Sequence, residues 1–77
     1  MTDKELLQKA VGNRIRMLRE EKKIPQQDIA GACNIEKSNF SRIEAGKTNP
    51  TVFTLYKIAK SLGVEMTDLL KINLNNR

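Results

Sequence analysis

Histidine is absent from this sequence of 77 residues, and cysteine occurs only once, at Cys33. Histidine-dependent catalysis is therefore excluded, and the chain lacks the ligands that a zinc site normally needs. A single cysteine has no partner for an intrachain disulfide, which is typical of proteins from a reducing compartment such as the cytoplasm. Because Cys33 lies among apolar helical positions, we expect a buried, unreactive thiol.

Long apolar runs are also missing. No stretch approaches the ~20 residues needed to span a bilayer, and no signal-peptide pattern occurs in the N-terminal residues, MTDKELLQK. No pair of carboxylates is expected to share one concave surface, so nothing in the sequence supports an active site, a metal or a cofactor. We therefore predict a cytoplasmic protein that is not an enzyme.

Positive charge is what the chain has in surplus. Lysine and arginine together number 14 against 9 aspartate and glutamate residues, which gives a formal net charge of +5 and a pI of about 9.7. A small basic domain suggests a polyanionic partner, and nucleic acid is the first candidate. The alternative is that the surplus lysines only keep the protein soluble, and charge alone does not separate these two interpretations.

Apolar residues at helical spacing predict five helices and no strand. The first helix opens with a capping box at Thr2 and Glu5 and ends near Lys22 or Lys23, before Ile24-Pro25. The other four are predicted at residues 26–33, 37–45, 51–62 and 66–71. The fold class is therefore all-α, a compact five-helix bundle that forms one domain over residues 1–72, followed by a polar tail at residues 73–77.

Three single positions and one face of helix four carry specific expectations. Asn34 and Gly46 suit left-handed backbone angles, in the turn after helix two and at the end of helix three. Gly12, in the middle of helix one, marks either a kink or a close packing contact. Helix four is expected to direct an apolar stripe into the core, beginning with Val52 and continuing through Leu55, Ile58, Ala59 and Leu62.

The stretch from Gln26 to Lys47 is typical of a helix-turn-helix, two short helices separated by a tight turn. Helix three has an apolar inner side and a polar outer side, which suits hydrogen bonding to base edges in the major groove of DNA. The predicted base-contacting residues are Lys37, Ser38 and Arg42. The predicted contacts to the DNA backbone are Gln26, Asn39, Lys47, Thr48 and Asn49.

Beyond this pattern, the sequence resembles the phage-repressor and Cro type of helix-turn-helix, called the XRE family in bacterial regulators. The resemblance rests on IPQQDIA at residues 24–30, IEKSNFSRIEAGK at 35–47, NPT at 49–51 and LYKIAKSLGV at 55–64. It extends over about residues 15–70, nearly the whole chain. It implies a lambda-repressor-like fold, sequence-specific binding to double-stranded DNA, and a role in transcription regulation, with repression as the expected direction. It also implies that the protein comes from a bacterium or a phage.

The resemblance also implies roles for single residues. Gln26 matches a family glutamine that braces against the DNA backbone and the recognition helix, which is helix three in this chain. Arg19 and Glu44 match a pair that forms a partly buried salt bridge between helices one and three. If Arg19 braces Glu44 in this way, the pair sets the tilt of the recognition helix.

The sequence departs from the family pattern at four positions. Pro25 and Glu36 replace the Ser or Thr residues that usually cap helices two and three, and glutamate is the poorer cap. Lys23 stands where the family often has glycine, so a lysine is expected at positive φ. Phe53 lies where the family usually has a polar residue.

Two of the three aromatic side chains, Phe53 and Tyr56, lie three residues apart on helix four, beside its core stripe. They either pack under helix five or form an exposed patch at a partner interface. We expect a homodimer through helix four, helix five and the tail, with Phe53, Tyr56 and Leu70 as interface candidates. A monomer in solution that dimerises only on DNA would also fit the sequence. Such a dimer would bind a pseudo-palindromic operator with its recognition helices about 34 Å apart.

The competing function is an interaction module, such as an antitoxin, whose main partner is another protein. An antitoxin of this fold would still bind its own promoter, so the two functions overlap, and the salt dependence of duplex binding separates them. Among the remaining basic residues, Arg16 and Lys22 are expected on a solvated face. For Arg14 a solvated position and a DNA contact are both open.

Overall fold

Five α-helices and no strand form within residues 1–74, the part of the chain that the computed structural model describes. The helices are α1 (Asp3–Glu21), α2 (Gln26–Ala32), α3 (Lys37–Glu44), α4 (Val52–Leu62) and α5 (Met66–Leu69). The all-α prediction is confirmed, and the observed helix ends lie within two residues of the predicted ones. Of the predicted polar tail, residues 75–77 lie outside the described range.

Helix α1 begins with the predicted capping box. The Glu5 backbone N–H donates to Thr2 Oγ1 at 3.1 Å, and the Thr2 N–H donates to the Glu5 carboxylate at 2.8 Å. The bonds from Thr2 hold the pKa of the Glu5 carboxyl below its ordinary value. After the helix ends, Lys23 takes a left-handed φ of 56°, as expected for a residue in a position that often carries glycine.

The hydrophobic core draws on all five helices. Ile15, Phe40, Ile58 and Leu69 are fully buried, and they come from α1, α3, α4 and α5 respectively. Full burial of an aliphatic or aromatic side chain of this size contributes about 1.5–3 kcal/mol. The remaining buried apolar residues are Val11, Leu18, Ile29, Ala30, Cys33, Ile43, Ala59 and Leu62, so Cys33 is the buried thiol that the sequence predicts.

Val52 is 73% exposed, although the spacing of apolar residues placed it in the core stripe of α4. It is the first residue of the helix, and the fully buried part of α4 begins only at Ile58, with Leu55 half-buried between them. The prediction for Val52 was wrong because helical spacing identifies a face of a helix but not where the neighbouring helices end. Leu7, near the start of α1, is 45% exposed for the same reason.

Gly12 marks a close contact between α1 and α3, not a break in α1, which runs as one helix through this position. A Cβ on Gly12 would lie 2.3 Å from the carbonyl oxygen of Ile43 and 2.7 Å from that of Glu44. Because both oxygens belong to the backbone, they cannot move aside as a flexible side chain would. The backbones of the two helices therefore touch here, which fixes α3 against α1.

The turns that bound α3 use left-handed residues, as predicted. Asn34 has φ 57° and Gly46 has φ 75°. In the turn after α2 the Ile35 N–H donates to the Ala30 carbonyl at 2.8 Å, and after α3 the Lys47 N–H donates to the Arg42 carbonyl at 2.9 Å. These bonds satisfy carbonyl groups that the helix ends would otherwise leave unpaired.

Candidate nucleic-acid interface

The outer side of α3 is polar and exposed along its whole length. Lys37 and Ser38 lie in its first turn, and Arg42 lies one turn after Ser38 on the same side of the helix. All three are exposed, while Phe40 and Ile43 on the opposite side are buried. Among residues 1–74 the side chains of Lys37, Ser38 and Arg42 make no hydrogen bond or ion pair, so their donors are available to a ligand.

The inner side of α3 ends in a buried ion pair between Glu44 and Arg19 of α1. Arg19 Nε donates to Glu44 Oε2 at 2.7 Å and Arg19 Nη2 donates to Glu44 Oε1 at 3.1 Å. The two residues are only 9% and 5% exposed. The hydrogen bonds to Glu44 raise the pKa of the Arg19 guanidinium above its ordinary value. This two-bond geometry fixes the orientation of both side chains as well as their separation.

The ion pair is the centre of a network that joins the first three helices. Arg19 Nη1 donates to the Ile24 carbonyl at 2.7 Å, which secures the segment between α1 and α2. Gln26 Nε2, at the first residue of α2, donates to Glu44 Oε1 at 2.8 Å. Gln26 thus braces the recognition helix directly, and one of its two amide hydrogens remains for a further partner.

The residues predicted to contact the DNA backbone lie at three places in the structure. Asn39, Thr48 and Asn49 line one cleft between the outer edge of α3 and the start of α4, together with Ile35, Ile43, Pro50, Thr51 and Thr54. Lys47 is exposed at the end of α3, directly after Gly46. Gln26 lies away from this cleft, against Glu44.

Lys57 is a positioning residue that the sequence reasoning missed. Its Nζ donates to the Cys33 carbonyl at 3.1 Å, at the C-terminus of α2, and lies 5.2 Å from the centroid of the Phe53 ring. A positive charge at a helix C-terminus is favourable, and so is one over an aromatic face. Lys57 therefore ties α4 to the helix-turn-helix. Nothing in the spacing of the sequence signals this contact, since Lys57 lies only at the margin of the apolar stripe.

Two further side chains of α1 join it to other helices. Arg14 is half-buried, and its Nε donates to the Asp68 carbonyl in α5 at 2.8 Å, a structural contact that the sequence did not predict. Gln8 Nε2 donates to the Gly46 carbonyl at the end of α3 at 3.2 Å. In contrast, Arg16 and Lys22 are exposed, as expected for a solvated face.

The aromatic side chains of α4 are exposed and do not pack beneath α5. Phe53 is 66% exposed and Tyr56 46%, and their rings stack with centroids 6.2 Å apart. Leu70, the third interface candidate, is 52% exposed and lines a separate cavity of about 110 Å³ with Leu7 and Leu55. The structure thus brings Phe53 and Tyr56 together and leaves an apolar surface on α4.

The N-termini of α2 and α3 lack the side-chain caps that family members usually carry. Pro25 and Glu36 occupy the cap positions with extended backbone, and neither side chain accepts a hydrogen bond from its helix. By contrast, Thr51 Oγ1 accepts from the Thr54 N–H at 3.0 Å at the start of α4. Glu36 therefore places a carboxylate at the start of the recognition helix without completing a cap.

Within residues 1–74 no helix is both long enough and apolar enough to cross a bilayer.

Comparison with known proteins identifies the family to which this arrangement belongs. A family model described as helix-turn-helix (HTH_3) matches residues 15–69. An uncharacterized HTH-type transcriptional regulator, y4dJ of Sinorhizobium fredii, is 36% identical over 64 residues, which cover 83% of each chain. The immunity repressor protein of Bacillus phage phi105 is 33% identical over 60 residues, which cover 78% of this chain and 42% of the repressor.

Solved structures agree with the sequence matches. The restriction-modification controller protein C.AhdI from Aeromonas hydrophila superposes with a TM-score of 0.76 at 28% identity, over 83% of this chain and 94% of that protein. The family model matches more than half of the residues of the present chain, so this chain belongs to the helix-turn-helix family of the XRE type. The family consists of DNA-binding transcriptional regulators, not enzymes, and this chain is one of them.

Proposed function

We propose that this regulator binds a specific double-stranded operator with α3 in the major groove, and that it acts as a repressor. The observation that supports this proposal best is the division of α3 into two sides. Arg19 and Gln26 hold its inner side through Glu44, while Lys37, Ser38 and Arg42 on the outer side have no partners among residues 1–74. A helix held in this way suits base recognition, because its outer side chains can approach base edges without rearrangement of the domain.

The chemistry of the three outer side chains favours particular bases. Arginine and lysine pair best with the O6 and N7 acceptors of guanine, whereas serine can bond to more than one base. Arg42 and Lys37 therefore suit guanines at separate base pairs, because the two residues lie about 7.5 Å apart along the helix axis. We expect each half-site to contain at least one guanine that Arg42 contacts.

The backbone contacts set the register of the helix on the duplex. Asn39, Thr48 and Asn49 line one cleft beside α3, which suits a sugar-phosphate strand running along it. Lys47 adds a positive charge at the end of the same helix, and Gln26 retains one amide hydrogen for a phosphate. Contacts of this kind supply affinity without sequence preference.

A homodimer on a pseudo-palindromic operator completes the proposal. Phe53 and Tyr56 form an exposed aromatic pair, and such a patch is typical of a partner site. Two copies with recognition helices about 34 Å apart would contact successive major grooves on one face of the duplex. With this role we also expect the protein, bacterial or from a phage, to act in the cytoplasm, where such DNA lies.

The other candidate was a protein-interaction module such as an antitoxin. The relatives are named as transcriptional regulators and as a phage immunity repressor. Those names favour DNA over a second protein as the main partner.

Selection of bound sequences from a random duplex pool tests the proposal. The expected result is a pseudo-palindrome whose affinity falls by about 10³ between 50 and 200 mM salt if ~6 phosphates are contacted. A duplex with the selected bases scrambled is the control, and it should bind far more weakly at the same salt concentration. Absence of duplex binding at low salt would contradict the proposal, and a strict monomer on the operator, measured by sedimentation, would contradict its dimer.

A further inference from the structure

The first half of α1 packs against the end of the recognition helix. The family model begins at residue 15, whereas α1 begins at Asp3, so this segment lies outside the family match. Gln8 Nε2 donates to the Gly46 carbonyl at 3.2 Å, and the Lys9 Cα lies 2.6 Å from the position that a Cβ on Gly46 would take. The start of α1 is therefore held directly against the turn that ends α3.

This contact places Lys9 beside Lys47, one of the proposed backbone contacts. Gly46 and Lys47 are neighbours in the chain, so the Cα atoms of Lys9 and Lys47 lie within about 8 Å of each other. Lys9 also shares one side of α1 with Gly12, which touches the α3 backbone. An extended lysine reaches roughly 6 Å from its Cα, so the ammonium groups of Lys9 and Lys47 can approach neighbouring phosphates of one strand.

The ammonium group of Lys9 is also available to a ligand. Lys9 is exposed and makes no hydrogen bond or ion pair among residues 1–74. Glu5, one turn before it, accepts hydrogen bonds from Thr2, and the attraction of the Lys9 charge is the smallest of the causes that lower the pKa of the Glu5 carboxyl. Other lysines are committed within the domain, since Lys57 donates to the Cys33 carbonyl and Lys71 pairs with Asp68 at 3.0 Å.

We propose that Lys9 binds a phosphate of the DNA backbone next to the one bound by Lys47. The Gln8–Gly46 hydrogen bond positions Lys9 for this contact, and the absence of a side chain on Gly46 permits the close approach. The inference rests on the proposed function and adds to it a contact from α1, outside the residues that the family model matches.

The experiment compares Lys9→Gln with the matched control Lys71→Gln, which removes the same charge. Lys71 lines a cleft with Ala10, Asn13 and Met17, and neither Gly46 nor Lys47 lines that cleft. On both the selected and the scrambled duplex, Lys9→Gln is expected to lower the salt slope of log K by about 0.9 and the affinity about five- to tenfold at 100 mM salt. Lys71→Gln should leave both values unchanged, and Lys9→Arg should retain them. The double variant Lys9→Gln with Lys47→Gln should lower the slope by about 1.8.

The possible outcomes separate this inference from the proposed function. Thermal unfolding of Lys9→Gln should stay close to that of the wild type, because glutamine keeps the Cα and Cγ that lie against Gly46 and loses only the attraction of an exposed charge to Glu5. An unchanged salt slope for Lys9→Gln, or an equal change for Lys71→Gln, would overturn the phosphate contact while leaving duplex binding by the wild type intact. Failure of the wild type to bind any duplex would instead remove the proposed function itself.

Discussion

The two sides of α3 differ in how much of their chemistry the domain itself uses. On the inner side, the Glu44 carboxylate accepts three hydrogen bonds, two from Arg19 and one from Gln26. On the outer side, Lys37 and Arg42 make none among residues 1–74. Contacts within the domain therefore fix the position of the recognition helix, while its outer side chains remain available to a ligand.

This difference predicts two kinds of variant. Changes on the inner side should lower the stability of the domain or tilt α3, because they leave buried polar groups without partners or force the backbones of α1 and α3 apart. Changes on the outer side should leave stability nearly unchanged, since exposed substitutions usually alter it by less than about 0.5 kcal/mol. Their effect should appear only in DNA binding.

The largest expected effect is on the buried ion pair. Arg19→Ala leaves the Glu44 carboxylate buried with Gln26 as its remaining side-chain partner, so we expect the free energy of unfolding to fall by about 3–5 kcal/mol. Urea denaturation measures this loss. Arg16→Ala is the control, because Arg16 is exposed on the same helix and bonds only to Asn13. A loss for Arg19→Ala no greater than for the control would contradict the role of the pair.

The backbone contact at Gly12 comes next. Gly12→Ala should lower the free energy of unfolding by about 1–3 kcal/mol, because the new methyl group would collide with two carbonyl oxygens of α3. Gly31→Ala provides the control, since nothing lies within 4 Å of a Cβ at that helical position. The control should stabilise α2 by up to about 1 kcal/mol. Thermal unfolding measures the stability of both variants. If Gly12→Ala were as stable as Gly31→Ala, the backbone contact at Gly12 would not hold α3 against α1.

The outer side is tested by comparing Arg42→Ala with Lys47→Ala. Arg42→Ala should reduce discrimination between the selected and the scrambled duplex by about 1–3 kcal/mol. Lys47→Ala should weaken both duplexes alike and lower the salt slope by about one unit. Both proteins should melt at the wild-type temperature. Competition binding measures the discrimination. Equal losses in the two variants would show that base recognition and DNA-backbone binding are not divided between Arg42 and Lys47.

Glu36 permits a smaller test at the start of the recognition helix. Glu36→Ser should supply the missing side-chain cap and raise the free energy of unfolding by about 0.5–1 kcal/mol. It should also strengthen duplex binding, because it removes a carboxylate beside the phosphates. Glu21→Ser, which removes an exposed carboxylate at the end of α1, controls for the change in net charge. Weaker binding by Glu36→Ser would mean that the carboxylate itself makes a favourable contact.

The smallest effect is expected at Asp68, which lies away from both sides of α3. Hydrogen bonds from the Lys71 ammonium and the Glu65 N–H hold the pKa of the Asp68 carboxyl below its ordinary value of 3.8. Since this pKa is lower in the folded state, the stabilisation is present above the unfolded value and is lost as the pH falls towards the folded one. Melting temperatures between about pH 3 and 6 should therefore fall less steeply for Asp68→Asn than for the wild type. Parallel curves would contradict this contribution.

Local features of the fold were predictable because they depend on residues close together in the sequence. The Thr2 and Glu5 capping box, the left-handed Asn34 and the Gly46 helix end each involve a single turn of backbone. The exposed outer side of α3 followed in the same way from helical spacing. Val52 was predicted wrongly, because burial at the end of a helix depends on where other helices stop.

The contacts that hold the recognition helix could not be predicted from local patterns in the sequence. Spacing placed Arg19 and Glu44 at the margins of apolar stripes, and only the resemblance to the family indicated that they pair. Lys57 and Gln8 were not identified at all. Their roles depend on which carbonyl group another helix brings within reach, Cys33 for Lys57 and Gly46 for Gln8.

By itself, the sequence determined five helices, their ends and the polar outer side of α3, because periodicity and capping act over three or four residues. The tertiary structure alone decided how that helix is held. Arg19 and Glu44 are 25 positions apart in the chain, and Gln8 and Gly46 are 38 apart. Such pairs meet only because α1 and α3 cross at Gly12, where the absence of a side chain lets their backbones touch.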